Sequence, residues 1–139
     1  MLVLPRSLLD EMISHCLGRY PKEACGMLAG RDGRVMRAYP MRNVEDSPIG
    51  YRMDPKEQLL VEKQMRQRSE QTVAIYHSHT ASPAYPSSVD ISLAISPDIS
   101  YVLVSLQDQA QPVVKSYRID GTRVSEEAVQ IEQTPSARV

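Results

Sequence analysis

The chain has little with which to staple itself together. Among its 139 residues there are two cysteines, Cys16 and Cys25, with no CxxC spacing. That count excludes a disulfide framework and a zinc site built on thiolates. Charge of one sign is lacking too: 16 Lys and Arg stand against 17 Asp and Glu, a formal net charge of −1. The basic residues are scattered as well, so there is no electrostatic footprint for nucleic acid. No apolar run approaches the roughly 20 residues that cross a bilayer. Met1-Leu2-Val3-Leu4-Pro5 is apolar, but it is too short for a signal peptide and lacks a basic start, so the expected setting is cytoplasmic, with no membrane partner. What remains is an ordinary composition, 42% hydrophobic. It suffices for one domain with a full core and leaves no room for a second.

Periodicity gives the elements. Leu2-Val3-Leu4 reads as a short edge strand or lead-in, and Pro5 suits the first turn of a helix. Leu8, Leu9, Met12, Ile13, Cys16 and Leu17 then form one apolar stripe, with His15 beside it and Pro21 ending it. Residues 24–30 are short, apolar and glycine-bounded, which predicts a strand. Asp32-Gly33 signals a hairpin, and 35–41 would be the returning strand. Residues 43–50 read as a loop. Asp54-Pro55-Lys56-Glu57 predicts a helix start with Asp54 at the N-cap and Glu57 closing a capping box, the helix running to about residue 69. Strands follow at 72–79, 100–106 and 113–119. A short helix at 89–95 is capped by Ser87 or Ser88, and Asp120-Gly121 opens a turn into a last strand, 123–131. The domain is expected to cover 1–133, with 134–139 a frayed tail. This order predicts α/β or α+β architecture, with one mixed sheet between helices.

The most informative feature is His77-Ser78-His79, followed eleven residues later by Asp90. Side chains two apart on a strand point to the same face, so both imidazoles can reach one ion without bending the backbone. Asp90 would add an oxygen ligand from the start of the next helix. Three protein ligands leave one tetrahedral position open, which separates a catalytic zinc from a structural one. Amide hydrolysis also needs a proton carrier, and Glu23, at the mouth of a strand bounded by Pro21 and Gly26, is the candidate. A hydroxyl near the ion can steady the tetrahedral oxyanion, and Ser87, three residues before Asp90, is placed for it. Each residue has an ordinary reading as well. Glu23 taken singly is a solvated surface acid, Ser87 a helix cap, Asp90 a first-turn acid favoured by the helix dipole, and Cys16 and Cys25 small packed hydrophobes. The inference rests on the five occurring together and in order.

Together, Glu23, His77-Ser78-His79, Ser87 and Asp90 resemble the JAMM signature of the Mov34/MPN/PAD-1 metalloproteases. In that signature an upstream Glu precedes His-x-His, seven residues, Ser, two residues and Asp, and those spacings are met here. Glu23-Ala24-Cys25-Gly26, the run from Tyr51 to Pro55, and Pro83-Ala84-Tyr85-Pro86-Ser87 are similar to the small bacterial branch. Thr80 stands where that family usually has proline. The resemblance implies a curved mixed sheet flanked by helices, cytidine deaminase-like in outline. It implies zinc on His77, His79 and Asp90, Glu23 as general acid and base, and Ser87 at the oxyanion. It further implies a partner, a ubiquitin-like sulfur carrier ending in Gly-Gly. An extended tail can add to an exposed strand edge, and the extended, loop-rich stretch at 43–53 is the expected edge. A homodimer is left open. The competing readings are an inactive scaffold of the same fold, a zinc peptidase acting on cell-wall peptides, and a nucleobase deaminase, the last of which would need paired Cys ligands.

Overall fold

A computed structural model describes residues 1–133; the expected tail at 134–139 lies outside the described residues. In chain order the elements are β1 (Leu2–Pro5), α1 (Arg6–Arg19), β2 (Cys25–Arg31), β3 (Arg34–Met41), α2 (Pro55–Gln67), β4 (Gln71–His79), α3 (Ser88–Leu93), β5 (Ser100–Ser105), β6 (Val113–Asp120), β7 (Arg123–Glu127) and β8 (Val129–Glu132). The strands make one mixed sheet in the order β7-β6-β5-β4-β2-β3-β1-β8. β2 runs antiparallel to both β3 and β4, whereas β4 and β5 are parallel. The expected mixed sheet between helices is what forms.

Two cores lie on the two faces of this sheet. On one face Leu9, Met12 and Cys16 of α1 pack with Leu2, Leu4, Leu28, Ala74, Tyr76, Val102 and Val104. Leu17, at the end of the expected stripe, is left exposed. On the other face Val61 and Met65 of α2 pack with Cys25, Met27, Met41, Met53 and Ile75. β4 shows the alternation that a strand buried on both faces requires: Ala74 and Tyr76 enter the first core, and Ile75 the second. His77 and His79 therefore continue the Ile75 side, and Ser78 turns towards α1. The Asp32-Gly33 turn has φ of 53° and 75°, the left-handed pair that a tight hairpin needs.

Three expectations are corrected. β1 is not an edge strand, because it lies between β3 and β8, parallel to both. The single last strand expected at 123–131 is two: β7 pairs with β6 at one end of the sheet, and β8 pairs with β1 at the other. Only Ala128 separates them, so the sheet curls back on itself around α1. The capping box expected at α2 is half present. Asp54 accepts from the Lys56 N–H, but Glu57 Oε1 accepts from the Arg42 N–H, tying α2 to the end of β3. Among the described residues no helix is long and apolar enough to cross a membrane.

Candidate metal centre and active-site cleft

The strand alternation that buries Ile75 brings both imidazoles out at the C-terminal end of β4, facing the start of α3. His77 Nε2 and His79 Nε2 lie 3.2 Å apart. Asp90 Oδ2 is 3.0 Å from His79 Nε2 and 3.2 Å from His77 Nε2. The three residues form a group that could hold a metal ion. Asp90 is aimed by the local sequence. Ser87 is the N-cap of α3 and its Oγ accepts from the Asp90 N–H at 3.1 Å. In return Asp90 Oδ2 accepts from the Ser87 N–H at 2.9 Å. That is a reciprocal capping box, and the oxygen it fixes is the one that faces the histidines.

The donor atoms fit a cation. His79 Nδ1 lies 2.9 Å from the Pro83 carbonyl, which can only accept, so in the neutral ring the proton sits on Nδ1 and Nε2 presents its lone pair. That lone pair faces a carboxylate oxygen and a second imidazole nitrogen at hydrogen-bond distance. Three electron-rich atoms converging on one point repel unless positive charge lies among them. Two imidazole nitrogens and a carboxylate oxygen are a zinc-type donor set. The protein's own charges show the same tension. Burial holds the His77 ring below its usual pKa. Burial acts likewise on His79, but Asp90, the Pro83 carbonyl and Glu23 outweigh it and lift that ring. Asp90 is held far below the carboxylate range, burial being overcome by the two imidazoles and the Ser87 N–H.

Glu23 lies just before β2 and is 6% exposed. It lines a cleft of about 440 Å³ together with His79, Thr80, Ser87, Asp90 and the apolar Ile49, Tyr51, Val89 and Leu93. Burial, opposed by His79 and aided by Asp90 and Glu45, raises its carboxyl to about 7. All five residues singled out from the sequence thus lie together. Cys25 does not join them. It packs in the α2 core, where burial pushes its thiol to about 12, too high for a nucleophile.

Four further residues shape the site: Tyr51 and Thr80, noted above for their places in the family-like runs, and Ser78 and Asn43, for which sequence reasoning found no role. Tyr51 stacks on His77, with ring centres 4.4 Å apart and planes at 27°. Ser78, between the histidines, points the other way. Its Oγ accepts from the Ala24 N–H at 2.8 Å and its N–H donates to the Ala24 carbonyl, locking β4 to the residue after Glu23. A small polar residue on the core-facing side of a buried strand was the available signal. Asn43 is buried and bonded on all sides. Thr80 Oγ1 donates to the Pro48 carbonyl at 2.9 Å, so the threonine at the usual proline position ties the loop after His79 to the opposite wall of the cleft.

Comparison with known proteins gives the family of the chain. Residues 5–120 match the family of prokaryotic homologs of the JAB domain. The chain is 47% identical over 133 residues to the CysO-cysteine peptidase of Mycobacterium tuberculosis, spanning 94% of this chain and 91% of that relative. A solution structure of a protein from Desulfitobacterium hafniense superposes with a TM-score of 0.89 at 39% identity, covering 98% of this chain and 96% of the other. A JAB1/MPN domain protein from Archaeoglobus fulgidus shares the fold at 17% identity, with a TM-score of 0.62 over 94% of this chain and 98% of its own. The chain belongs to the JAMM/MPN family, in its prokaryotic JAB branch.

Proposed function

We propose that this chain is a zinc-dependent peptidase that hydrolyses the bond following the C-terminal Gly-Gly of a ubiquitin-like sulfur-carrier protein. The observation that carries the reading is the convergence of His77, His79 and Asp90 within 3.0–3.2 Å of one another in the cleft that also buries Glu23. The name of the Mycobacterium tuberculosis relative, a CysO-cysteine peptidase, supports the substrate class.

His77 and His79 would bind zinc through Nε2 and Asp90 through Oδ2. When bound, zinc acidifies water to a pKa of about 7 and polarises the scissile carbonyl. The protein's own groups do the rest. Glu23, whose carboxyl burial raises to about 7 before any ion is bound, takes the proton of the attacking water and returns it to the leaving amine. Ser87 uses a lone pair on Oγ as a helix cap, which leaves its hydroxyl proton for the tetrahedral oxygen. Ile49, Tyr51, Val89 and Leu93 line the cleft with apolar surface, much of it exposed, that a bound tail would cover, displacing water from beside these charges. Two glycines before the cut suit such a cleft, since main chain without side chains approaches closely.

The test is direct. The purified chain is assayed for bound zinc and incubated with a sulfur carrier extended beyond Gly-Gly, with mass spectrometry reading the cut. Glu23→Gln is expected to keep its zinc and lose about 10²- to 10⁴-fold in rate. Equal rates for Glu23→Gln and the parent would remove Glu23 from its role, and a zinc-loaded parent that leaves the carrier whole would reject the substrate assignment.

A further inference from the structure

The strap of residues 43–53, one wall of the cleft, is organised around the buried side chain of Asn43. Asn43 is 5% exposed, and its amide makes four hydrogen bonds. Nδ2 donates to the Glu23 carbonyl and to the Gly50 carbonyl, each at 3.0 Å. Oδ1 accepts from the Glu45 N–H at 3.0 Å and from the Arg52 N–H at 3.1 Å. Two carbonyls on one side and two N–H groups on the other fix which way the amide faces. The neighbouring chemistries do not substitute. An aspartate has no donor when ionised, a serine has one, and a glutamine sets its amide one carbon further out.

These bonds reach beyond the strap. The Glu23 carbonyl is held by Asn43, and the Glu23 N–H donates to the Ser47 carbonyl at 2.8 Å. The backbone of the acid is therefore gripped on both sides by one segment. The same segment carries Tyr51, stacked on His77, and Pro48, whose carbonyl receives Thr80 Oγ1. One buried amide thus sits where the strand of the acid, the stacking partner of a histidine and the loop after the other histidine are joined.

We propose that Asn43 is a positioning residue for the hydrolysis: by clamping the Glu23 carbonyl to the strap that bears Tyr51, it holds the Glu23 carboxylate in register with His77, His79 and Asp90. This rests on the reading of the site given under the proposed function. Asn43 lies behind the cleft wall and acts through Glu23, so it governs turnover more than substrate binding. A purely structural role would instead loosen the strap and weaken binding whether or not Glu23 is present.

Asn43→Asp separates the two roles. An ionised aspartate keeps acceptors for the Glu45 and Arg52 N–H groups but turns an oxygen against the Glu23 and Gly50 carbonyls. Zinc content, amide hydrogen exchange and steady-state kinetics on the extended sulfur carrier are measured for the parent, Asn43→Asp and Asn43→Ser, each alone and with Glu23→Gln. Asn43→Ser carries the same test should Asn43→Asp fail to fold. Zinc content is expected to match the parent. The Glu23 N–H should exchange more than about tenfold faster while the Glu45 and Arg52 N–H groups stay protected in Asn43→Asp. kcat should fall by about 30- to 100-fold, the scale of a small misplacement of a reacting group, with KM within about threefold. In the Glu23→Gln background the second substitution should change the residual rate by less than about twofold. Unchanged exchange at Glu23, lost zinc, or an equal fold-loss in both backgrounds overturns the proposal. If the parent leaves the carrier uncut while the Glu23 N–H is still freed by Asn43→Asp, the clamp stands and the functional reading falls.

Discussion

Glu23 is where function and stability oppose each other. Its carboxyl ionises near 4.5 in an unconstrained chain and at about 7 in the folded, metal-free protein, chiefly because burial penalises the charge. The folded state therefore binds the proton more tightly than the unfolded state does. For an acid shifted in that direction, folding stability is fully present below the unfolded pKa and declines as pH rises through the folded pKa. A shift of this size corresponds to about 3 kcal/mol at 1.36 kcal/mol per unit. Glutamine cannot ionise and escapes that decline. In the presence of a chelator, Glu23→Gln is expected to melt above the parent at pH 8, with the two curves meeting near pH 4.5. A parent that is the more stable of the pair at both pH values would show that burial does not strain this carboxylate. A bound dication draws the pKa down, so the acid limb of kcat/KM in the loaded enzyme should lie at or below 7, activity falling as pH falls through it.

The pairing of β2 with β4 sets where the acid and the histidines meet, and one glycine makes that pairing possible. Gly26 lies opposite Tyr76, one residue before His77. A Cβ on Gly26 would stand 2.2 Å from a Tyr76 ring carbon. The ring has little freedom to yield, since Tyr76 is fully buried and its hydroxyl lies 2.6 Å from His15 Nδ1. Gly26→Ala should therefore cost about 3 kcal/mol or more by overpacking, read as a lower urea midpoint with an unchanged slope. A midpoint equal to the parent's would mean that the strands can part without loss. Gly26 also marks the boundary of what the sequence displays. Elements governed by near neighbours were legible: the stripe Leu9, Met12 and Cys16, the turn at Asp32-Gly33, and a serine cap at the start of α3, although the return bond from the Ser87 N–H to Asp90 Oδ2, which aims Asp90, is seen only in the folded chain. Elements governed by distant partners were not. Glu57 abandons its own helix for the Arg42 N–H because β3 ends beside it, and Asn43 looks like any loop asparagine until Glu23, twenty residues earlier, is brought alongside. Glu23 itself carried a legible chemistry, and only the fold supplies the burial that tunes it.

The molecule as a whole is closed by the run from Arg123 to Glu132, and Glu127 fastens that closure. Here the chain leaves β6 and crosses to β1, where the Leu2 N–H donates to the Ala128 carbonyl at 2.9 Å. Glu127 Oε1 accepts from Ser100 Oγ of β5 and, at 2.8 Å, from Ser116 Oγ of β6, while Oε2 accepts from Arg118 Nε at 3.3 Å. One carboxylate thereby binds the two strands beside the seam. Burial by itself would raise its pKa, but the two serine hydroxyls and Arg118 outweigh burial and hold it below the usual glutamate value. The sign is opposite to that of Glu23. A depressed folded pKa stabilises the protein above the unfolded pKa, and that contribution is lost as pH falls through the folded one. Glu127→Gln keeps one acceptor but turns an NH2 group towards Arg118 or the serines. It should lower stability at pH 7 by about 2 kcal/mol, the scale of hydrogen bonds to a charged group, or about 8 °C in Tm for a chain of this length. The gap should narrow as pH falls below the ordinary glutamate range, where the parent's carboxylate takes up its proton. Because Glu127 bonds to Ser100, Ser116 and Arg118 and to none of the residues that line the cleft, zinc content and turnover at 25 °C should stay at the parent's level. A variant that keeps its Tm at pH 7 would show that the sheet is held closed by its backbone ladder alone, and one that loses zinc would show that the seam and the metal centre unfold as one unit.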